Sequence, residues 1–167
     1  NSSEESLNRV QQLTGKTLAF VEGDIRDAQV LDQVFQQYPI DAVIHFAGLK
    51  AVGESQQIPL TYFDNNIAGS IRLVQAMERA NVFNLVFSSS ATVYDEANIS
   101  PLNEDMPTGL PTNNYGYTKL IVEQLLEKLS ISDSRWSIAL LRYFNPVGAH
   151  KSGRIGEDPQ GVPNNLM

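Results

Sequence analysis

The 167-residue chain has no cysteine, no long apolar run and no excess of basic residues. Without cysteine it forms no disulfide, thiolate nucleophile or Cys-based zinc site; we predict no metal centre, and a reducing, cytoplasmic compartment fits this composition. No apolar stretch approaches the ~20 residues that cross a bilayer, and NSSEESLNRV lacks the basic and apolar segments of a signal peptide. The formal net charge is −7, with 12 basic and 19 acidic residues. This charge disfavours nucleic acid and anionic membranes as partners.

Short apolar runs and helical patterns alternate along the chain, and this alternation predicts its fold. Hydrophobic residues make up 42% and charged residues 19%, which is typical of a folded domain. The strand-like runs lie at 17–21, 42–46, 84–88 and 136–143, and the helical patterns lie at 3–13, 27–37, 59–80 and 115–129. Buried strands that alternate with helices indicate right-handed crossover connections. We therefore predict an α/β fold with a doubly wound, Rossmann-like parallel sheet that helices cover on both faces.

Both ends of the sequence depart from a complete fold of this type. The chain begins on a helical pattern rather than a strand, and its last stretch, HKSGRIGEDPQGVPNNLM, is loop-like. None of the eleven glycines forms the Gly-x-Gly-x-x-Gly turn that holds a dinucleotide phosphate. We therefore expect a sheet that is incomplete at both ends.

The string YGYTK at 115–119 is the strongest local indication of chemistry. A spacing of four residues places Tyr115 and Lys119 one turn apart on the same face of a helix. A nearby ammonium lowers the pKa of a phenol from about 10, so we expect Tyr115 to act as a general base for a hydroxyl proton. The alternative is an ordinary exposed helix start, because this spacing also arises by chance.

Three serines follow the predicted strand at 84–88, where open α/β sheets bind their ligands. A hydroxyl from Ser88, Ser89 or Ser90 at this edge would complete a Ser, Tyr, Lys triad with Tyr115 and Lys119. The alternative is a polar strand end without a catalytic role.

Two further strand ends carry candidate ligand contacts. After His45, which we interpret as structural because it lies within an apolar run, Ala47 and Gly48 are small enough for a flat cofactor to approach the backbone. Asp24 follows the strand predicted at 17–21, and its carboxylate would either accept a hydrogen bond from an adenine amino group or cap the next helix.

These residues resemble the extended short-chain dehydrogenase/reductase family, and within it the epimerases that interconvert UDP-galactose and UDP-glucose. The resemblance rests on FVEGDIRD at 20–27, DAVIHFAGLKAVGES at 41–55, FSSSATVY at 87–94, WSIALLRYFNPVGAH at 136–150 and the terminal EDPQGVPNNLM. It implies a partial NAD-binding domain at 1–150 and the start of a substrate-binding region at 151–167.

The resemblance also implies a reaction in galactose metabolism. Tyr115, assisted by Lys119 and Ser90, would take the proton of the sugar 4-hydroxyl while hydride passes from C4 to a bound NAD. The 4-ketose would then turn within the site and be reduced on its other face, so that no NAD is consumed.

The family's binding residues carry over by position. The NAD contacts would be Asp24 and Ile25 at the adenine, Asn1 and Ser2 at the ribose, and Phe46, Ala47, Gly48, Leu49, Lys50, Asn65 and Phe144 towards the nicotinamide, together with Ser90, Tyr115 and Lys119. The UDP-sugar contacts would be Ser90, Thr92, Tyr115, Asn145, Asn165 and Leu166. Asp95 stands where the family usually has glycine, and we expect a loop of different shape there.

Two other functions compete with this interpretation. A nucleotide-sugar 4,6-dehydratase would need an acid where the chain has Ala91 and Thr92, which disfavours elimination of water. A non-catalytic, dimerising fragment is the second alternative, since the helices at 59–80 and 115–129 carry apolar stripes such as Ile67, Ile71, Val74 and Leu120, Ile121, Leu125. The family resemblance implies a homodimer through these two helices.

Overall fold

The computed structural model describes residues 4–156, which form two compact units. The larger unit is Gly23–Phe144, and the smaller combines the described parts of the two chain ends, residues 4–22 and 145–156. The predicted domains at 1–150 and 151–167 stay a prediction. Asn1, Ser2, Asn165 and Leu166 lie outside the described residues.

The smaller unit contains one helix, α1 (Glu5–Thr14), which ends at Gly15 in the left-handed region (φ 68°). Arg9 on this helix pairs with Glu5 and donates to the carbonyl of Arg154 at 3.1 Å. Residues 17–21, predicted as a strand, form none: Leu18 donates its backbone N–H to the side chain of Gln11 at 2.8 Å, and the apolar Phe20 is exposed. The strand prediction was therefore wrong, because apolar composition forms a strand only where a neighbouring strand completes the backbone hydrogen bonds.

The larger unit is a three-stranded parallel sheet with helices. Its elements in chain order are α2 (Ala28–Gln37), β1 (Val43–His45), α3 (Val52–Gln57), α4 (Pro59–Tyr62), a π-helical segment (Phe63–Ala68), α5 (Gly69–Arg79), β2 (Asn84–Ser90), a 3₁₀ turn (Ala91–Val93), α6 (Asn114–Ser132) and β3 (Ser137–Tyr143). The strand order is β1-β2-β3, with Val43 opposite Leu85 and Ser90 opposite Tyr143. The predicted α/β class with a parallel sheet is confirmed.

Local sequence explains where the main helices begin. Asp27 caps α2 by accepting from the backbone N–H groups of Gln29 and Val30, and Asn113 caps α6 by accepting from Gly116 at 2.8 Å. These short polar side chains satisfy donors that a helix start leaves free. The predicted helix at 59–80 is helical throughout but widens into π geometry at Phe63–Ala68. Helix α3 was not predicted, because VGESQQ carries no apolar periodicity.

One face of the sheet holds the core of this unit. Leu85 and Phe87 of β2 pack with Val74 and Met77 of α5 and with Leu126 of α6. The opposite face exposes Ile44 (63%), Leu141 and Tyr143, because alternate residues of a strand point to opposite faces. No helix among residues 4–156 is long and apolar enough to cross a membrane.

Candidate active site

Lys119 lies at the carboxyl edge of the sheet and is only 6% exposed. Its Nζ donates to the carbonyl oxygen of Ser88 at 2.7 Å, and it stands 4.8 Å from the ring centroid of Phe87. Burial lowers the pKa of Lys119 to about 8, since a desolvated ammonium is disfavoured. At neutral pH the side chain therefore remains mostly charged, held by one carbonyl and one aromatic face.

Tyr115 begins the same face of α6, one turn before Lys119. The Lys119 Nζ lies 5.9 Å from the centroid of the Tyr115 ring, so the two side chains lie on the same face of the helix. Ser90, which ends β2, lies close enough to the Tyr115 phenol to lower its pKa, and the Ser90 Oγ accepts from the Thr92 hydroxyl at 3.0 Å. Ser90, Tyr115 and Lys119 therefore meet at one edge of the sheet, although they come from different elements.

The sequence predicts a lowered pKa for Tyr115, and this prediction is wrong for the chain without bound ligands. Burial raises the pKa of Tyr115, and the nearby hydroxyl of Ser90 opposes that rise without overcoming it. The physical reason is that removing a phenolate from water costs more free energy than an interaction with one hydroxyl restores. Lys119 points its ammonium at the Ser88 carbonyl, so its charge is not directed at the phenol oxygen.

A buried polar network lies behind Tyr115 and Lys119, and the sequence did not reveal it. The side chain of Asn66, in the π-helical segment, bonds to the backbone of Leu49 and to the Thr118 hydroxyl. His45 contacts Ser70 through Nε2 at 2.9 Å, and Ser70 donates to the carbonyl oxygen of Asn66. Because Ser70 uses its only proton there, His45 must donate from Nε2. Burial and the Lys119 charge lower the pKa of His45 to about 4, which fits the structural role expected for it.

The backbone after β1 is open enough for a flat ligand. Ala47 and Gly48 are exposed, and a Cβ at Gly48 would lie 3.3 Å from Asn66 Oδ1 and 3.8 Å from Lys119 Nζ. Phe46 and Phe144, which directly follow β1 and β3, are each 63% exposed. Ligand sites are lined mainly by apolar and aromatic side chains with a few polar groups, so the composition of this edge is compatible with the cofactor predicted there.

At the predicted adenine end, Asp24 makes an ion pair rather than standing free. Arg26 donates to both Asp24 carboxylate oxygens and, through Nη1, to Asp64 at 2.8 Å. The hydrogen bonds from Arg26 lower the pKa of Asp24 to about 2. These groups line an open groove of about 520 Å³ together with Arg72. Asp24 also does not cap α2, since that role falls to Asp27.

The other predicted contacts are spread more widely. Ile25 packs beside Gly69, where a Cβ would lie 2.6 Å from the Ile25 Cδ1. Leu49 and Asn65 are half-buried, while Lys50 and Thr92 are exposed. Asn145 belongs to the smaller unit, so its predicted role stays a prediction.

The loop after Ser90 accommodates Asp95 without strain. Among the described residues other than glycine, Asn81 is the one with positive φ, so Asp95 does not adopt the conformation that favours glycine. Its carboxylate accepts from the N–H of Ala97 at 2.8 Å. Gly109 supplies the close approach instead, because a Cβ there would stand 2.7 Å from the Asp95 Cα. A cavity of about 310 Å³ lies along this loop and is lined in part by Thr92 and Asn113.

An ion pair between Arg142 and Glu123 lies beside the loop that follows Ser90. Arg142 on β3 donates to Glu123, one turn beyond Lys119 on α6, with Nη2 2.9 Å from Oε2. The same guanidinium lies 4.8 Å from the ring of Tyr94 and donates to the carbonyl of Glu104. Sequence patterns gave no indication of this pair. Within residues 4–156, no group of three or more His, Asp or Glu side chains is placed to hold a metal ion.

Fold and site together define a class of protein. A parallel α/β sheet with Ser90, Tyr115 and Lys119 at its carboxyl edge has the organisation of the Rossmann-fold dehydrogenases and epimerases. The model of the NAD dependent epimerase/dehydratase family matches residues 2–164, and the chain belongs to that family.

Comparison with individual proteins shows which members of the family the chain is similar to. The chain is 60% identical over its full length to the UDP-glucose 4-epimerase of Bacillus subtilis, of which it covers 49%. Among solved structures, that of UDP-glucose 4-epimerase from Bifidobacterium longum, in complex with NAD⁺ and UDP, matches 99% of the chain and 50% of that protein, with TM-score 0.95 and 52% identity. The enzyme of Stenotrophomonas maltophila, with bound NAD and formylated UDP-arabinopyranose, gives the same TM-score and identity. The chain spans about half the length of the curated relatives it matches.

Proposed function

We propose that the whole protein interconverts UDP-galactose and UDP-glucose with bound NAD. The observation that carries this proposal is the meeting of Ser90, Tyr115 and Lys119 in a chain that closely resembles UDP-glucose 4-epimerases. A hydroxyl, a phenol and an ammonium at one sheet edge are the groups needed to move a proton to and from a sugar hydroxyl.

Each of the three residues has a defined task in the proposed reaction. The Tyr115 Oη would accept the proton of the sugar 4-hydroxyl and return it to the same oxygen after the 4-ketose has turned and hydride has been added to the other face of C4. Ser90, whose hydroxyl lies near the Tyr115 phenol, would orient the same sugar oxygen. Lys119, with a pKa of about 8, would supply the positive charge that favours the phenolate once substrate excludes water from the site.

NAD fits this edge of the sheet. Phe46, Ala47, Gly48 and Phe144 would surround the nicotinamide, and Asp24 and Ile25 would lie at the adenine. When bound, NAD would supply the group that accepts and returns hydride. Asn65 would approach the cofactor from the π-helical segment, and Thr92 would face the sugar.

The homodimer is proposed through the helical segments at 59–80 and 115–129. Val74 and Leu120, two of the apolar residues expected in the interface, are buried within this unit instead. The surface available for pairing therefore comprises other residues of these segments, among them Leu60, 79% exposed, and Tyr117, whose ring contacts Phe63 edge-on. Light scattering at micromolar concentration should give twice the mass of one chain, and Leu60→Glu should shift the protein towards monomer.

A cytoplasmic location is proposed on the cysteine-free composition.

The direct test is to incubate the purified whole protein with UDP-galactose and identify the product. UDP-glucose formed without net consumption of NAD is the expected result. A 4-keto-6-deoxy product would instead indicate the dehydratase alternative, which the side chains of Ala91 and Thr92 disfavour. A folded, NAD-free dimer that leaves UDP-galactose unchanged would indicate the non-catalytic alternative.

A further inference from the structure

Helix α3 packs against the start of α6 and accepts hydrogen bonds from its first backbone N–H groups. The first N–H groups of any helix have no partner within the helix itself. In α6, the N–H of Tyr115 donates to the Ser55 hydroxyl at 3.1 Å, and the N–H of Asn114 donates to Gln56 Oε1 at 3.3 Å. The helix that carries Tyr115 therefore obtains part of its N-terminal capping from a different helix.

The side chain of Asn114 adds to this contact. Its Nδ2 donates to Gln56 Oε1 at 2.6 Å and to the carbonyl of Ser55 at 3.0 Å. Gln56 Nε2 donates in turn to the carbonyl of Thr112 at 3.4 Å, just before the helix begins. Both polar atoms of the Gln56 carboxamide thus bind the start of α6, although the Gln56 residue is exposed.

Ser55 is fully buried, and its hydroxyl serves Tyr115 as an acceptor. The hydroxyl proton goes to the carbonyl of Val52 at 2.6 Å, three residues earlier in α3. The oxygen is therefore left to accept the N–H of Tyr115. An alanine at 55 would leave that N–H without a partner in a partly buried place, which disfavours the observed start of the helix.

Tyr62 of α4 holds α3 at its other end. Its phenol oxygen accepts from the N–H of Ala51 at 3.1 Å, and it lies 2.9 Å from the Ala51 carbonyl oxygen and 2.7 Å from Glu54 Oε2. Ala51 directly precedes α3, and Glu54 lies in its first turn. Helix α3 is thus attached to α4 where it begins and to α6 where it ends.

We infer that α3 positions Tyr115 for the proposed reaction, with Ser55 and Gln56 as the positioning residues. The inference rests on the proposed function, in which the Tyr115 Oη takes a proton from the sugar. Tyr115 is the second residue of α6, so a loosened first turn displaces its phenol, and a misplacement of about 1 Å can reduce a rate by ~100-fold. Lys119 lies one turn further along and is bonded to the Ser88 carbonyl, so it should move less.

The test compares Gln56→Met with Gln57→Met in the whole protein. Both glutamines are exposed neighbours in α3, but within the described chain the Gln57 side chain makes no hydrogen bond, which makes it the matched control. In Gln56→Met we expect kcat for UDP-galactose to fall at least ~5-fold while KM changes by less than ~2-fold, because contacts that bind the substrate are unchanged. In Gln57→Met we expect both constants within ~2-fold of wild type.

A conservative variant separates this role from a general loss of stability. Gln56→Glu keeps an acceptor for both donors of Asn114 and places a negative charge near the start of α6, where the helix dipole favours it. We expect it to restore kcat to within ~2-fold of wild type. A fall in kcat that Gln57→Met shares, or that Gln56→Glu does not restore, would overturn the inference.

A second readout does not depend on turnover. Hydrogen–deuterium exchange of the peptide that contains Tyr115 should be at least ~5-fold faster in Gln56→Met and in Ser55→Ala, and unchanged in Gln57→Met. Exchange in the last turns of α6 should stay the same in all variants, since the change is local. If Ser55→Ala does not fold, the exposed Gln56 variants decide alone.

The outcomes distinguish the inference from the function on which it rests. A folded Gln56→Met protein with wild-type kcat, or with unchanged exchange at Tyr115, would overturn the inference and leave the proposed function standing. An inactive wild-type protein would instead overturn the proposed function, and the inference with it.

Discussion

The two ends of the predicted cofactor site use different kinds of interaction. At the adenine end, Asp24, Arg26 and Asp64 form ion pairs on the surface. At the nicotinamide end, Lys119 and its supporting groups are buried and joined by short hydrogen bonds. Water and salt weaken the first arrangement, whereas burial strengthens every electrostatic effect in the second. In the proposed reaction, proton transfer would take place at the buried end, while the exposed end would contribute cofactor binding that is less sensitive to substitution.

The largest effect should come from removing the buried charge. Lys119→Met keeps the length of the side chain but loses the ammonium, so we expect kcat to fall by at least ~100-fold. The same variant should unfold at higher temperature, because the pKa of about 8 shows that the charge is held against its preference for water. A thermal melt beside a kinetic assay measures both effects. Lower thermal stability together with normal turnover would contradict this view of the buried end.

The ion pair beneath the loop should have the next largest effect, on stability. Glu123→Ala leaves the partly buried Arg142 without its carboxylate, and we expect this to lower the free energy of unfolding by up to about 3 kcal/mol. Glu123→Gln, which keeps an acceptor for the guanidinium, should be affected less. Urea denaturation of the three proteins measures the difference, and equal midpoints for wild type and Glu123→Ala would show that the pair contributes nothing.

His45 gives the buried end a dependence on pH. Its pKa is about 4 in the folded chain and 6.5 in the reference state, so the unfolded chain binds more protons between these values. Stability from this residue is therefore complete above pH 6.5 and declines as the pH falls towards 4, by about 3 kcal/mol in all. His45→Gln retains a donor for Ser70 but does not titrate. The difference in unfolding free energy between wild type and this variant, measured from pH 4 to 7, should show the decline, and a constant difference would refute it.

The smallest effect is expected at the exposed end. Arg26→Ala breaks both surface ion pairs, yet we expect the free energy of unfolding to change by no more than about 1 kcal/mol. NAD affinity, measured by calorimetry, should weaken by a few fold, with the loss decreasing as salt is added. A collapse of stability in this variant would remove the distinction between the two ends.

Predictions from sequence were most accurate where a short segment decides the structure. The spacing of Tyr115 and Lys119 follows from helix geometry alone, and Asp27 marks the start of α2 because capping is a local interaction. The segment at 17–21 failed because a strand depends on a partner elsewhere in the chain. Asn66 and the pair formed by Glu123 and Arg142 were missed for the same reason, since their partners are 17 and 19 residues or more away. The pKa of Tyr115 was predicted in the wrong direction because spacing reports a neighbouring charge but not the depth of burial.

The measurement that tests the central claim most directly compares Tyr115→Phe with Tyr117→Phe. Both variants remove one phenol hydroxyl from the first turn of α6, but the Tyr115 phenol is the one that lies beside Ser90 and Lys119. With the whole protein and UDP-galactose, we predict at least ~100-fold slower epimerisation for Tyr115→Phe and near-normal turnover for Tyr117→Phe. Near-normal turnover by Tyr115→Phe would contradict the account, because proton transfer would then not pass through this residue.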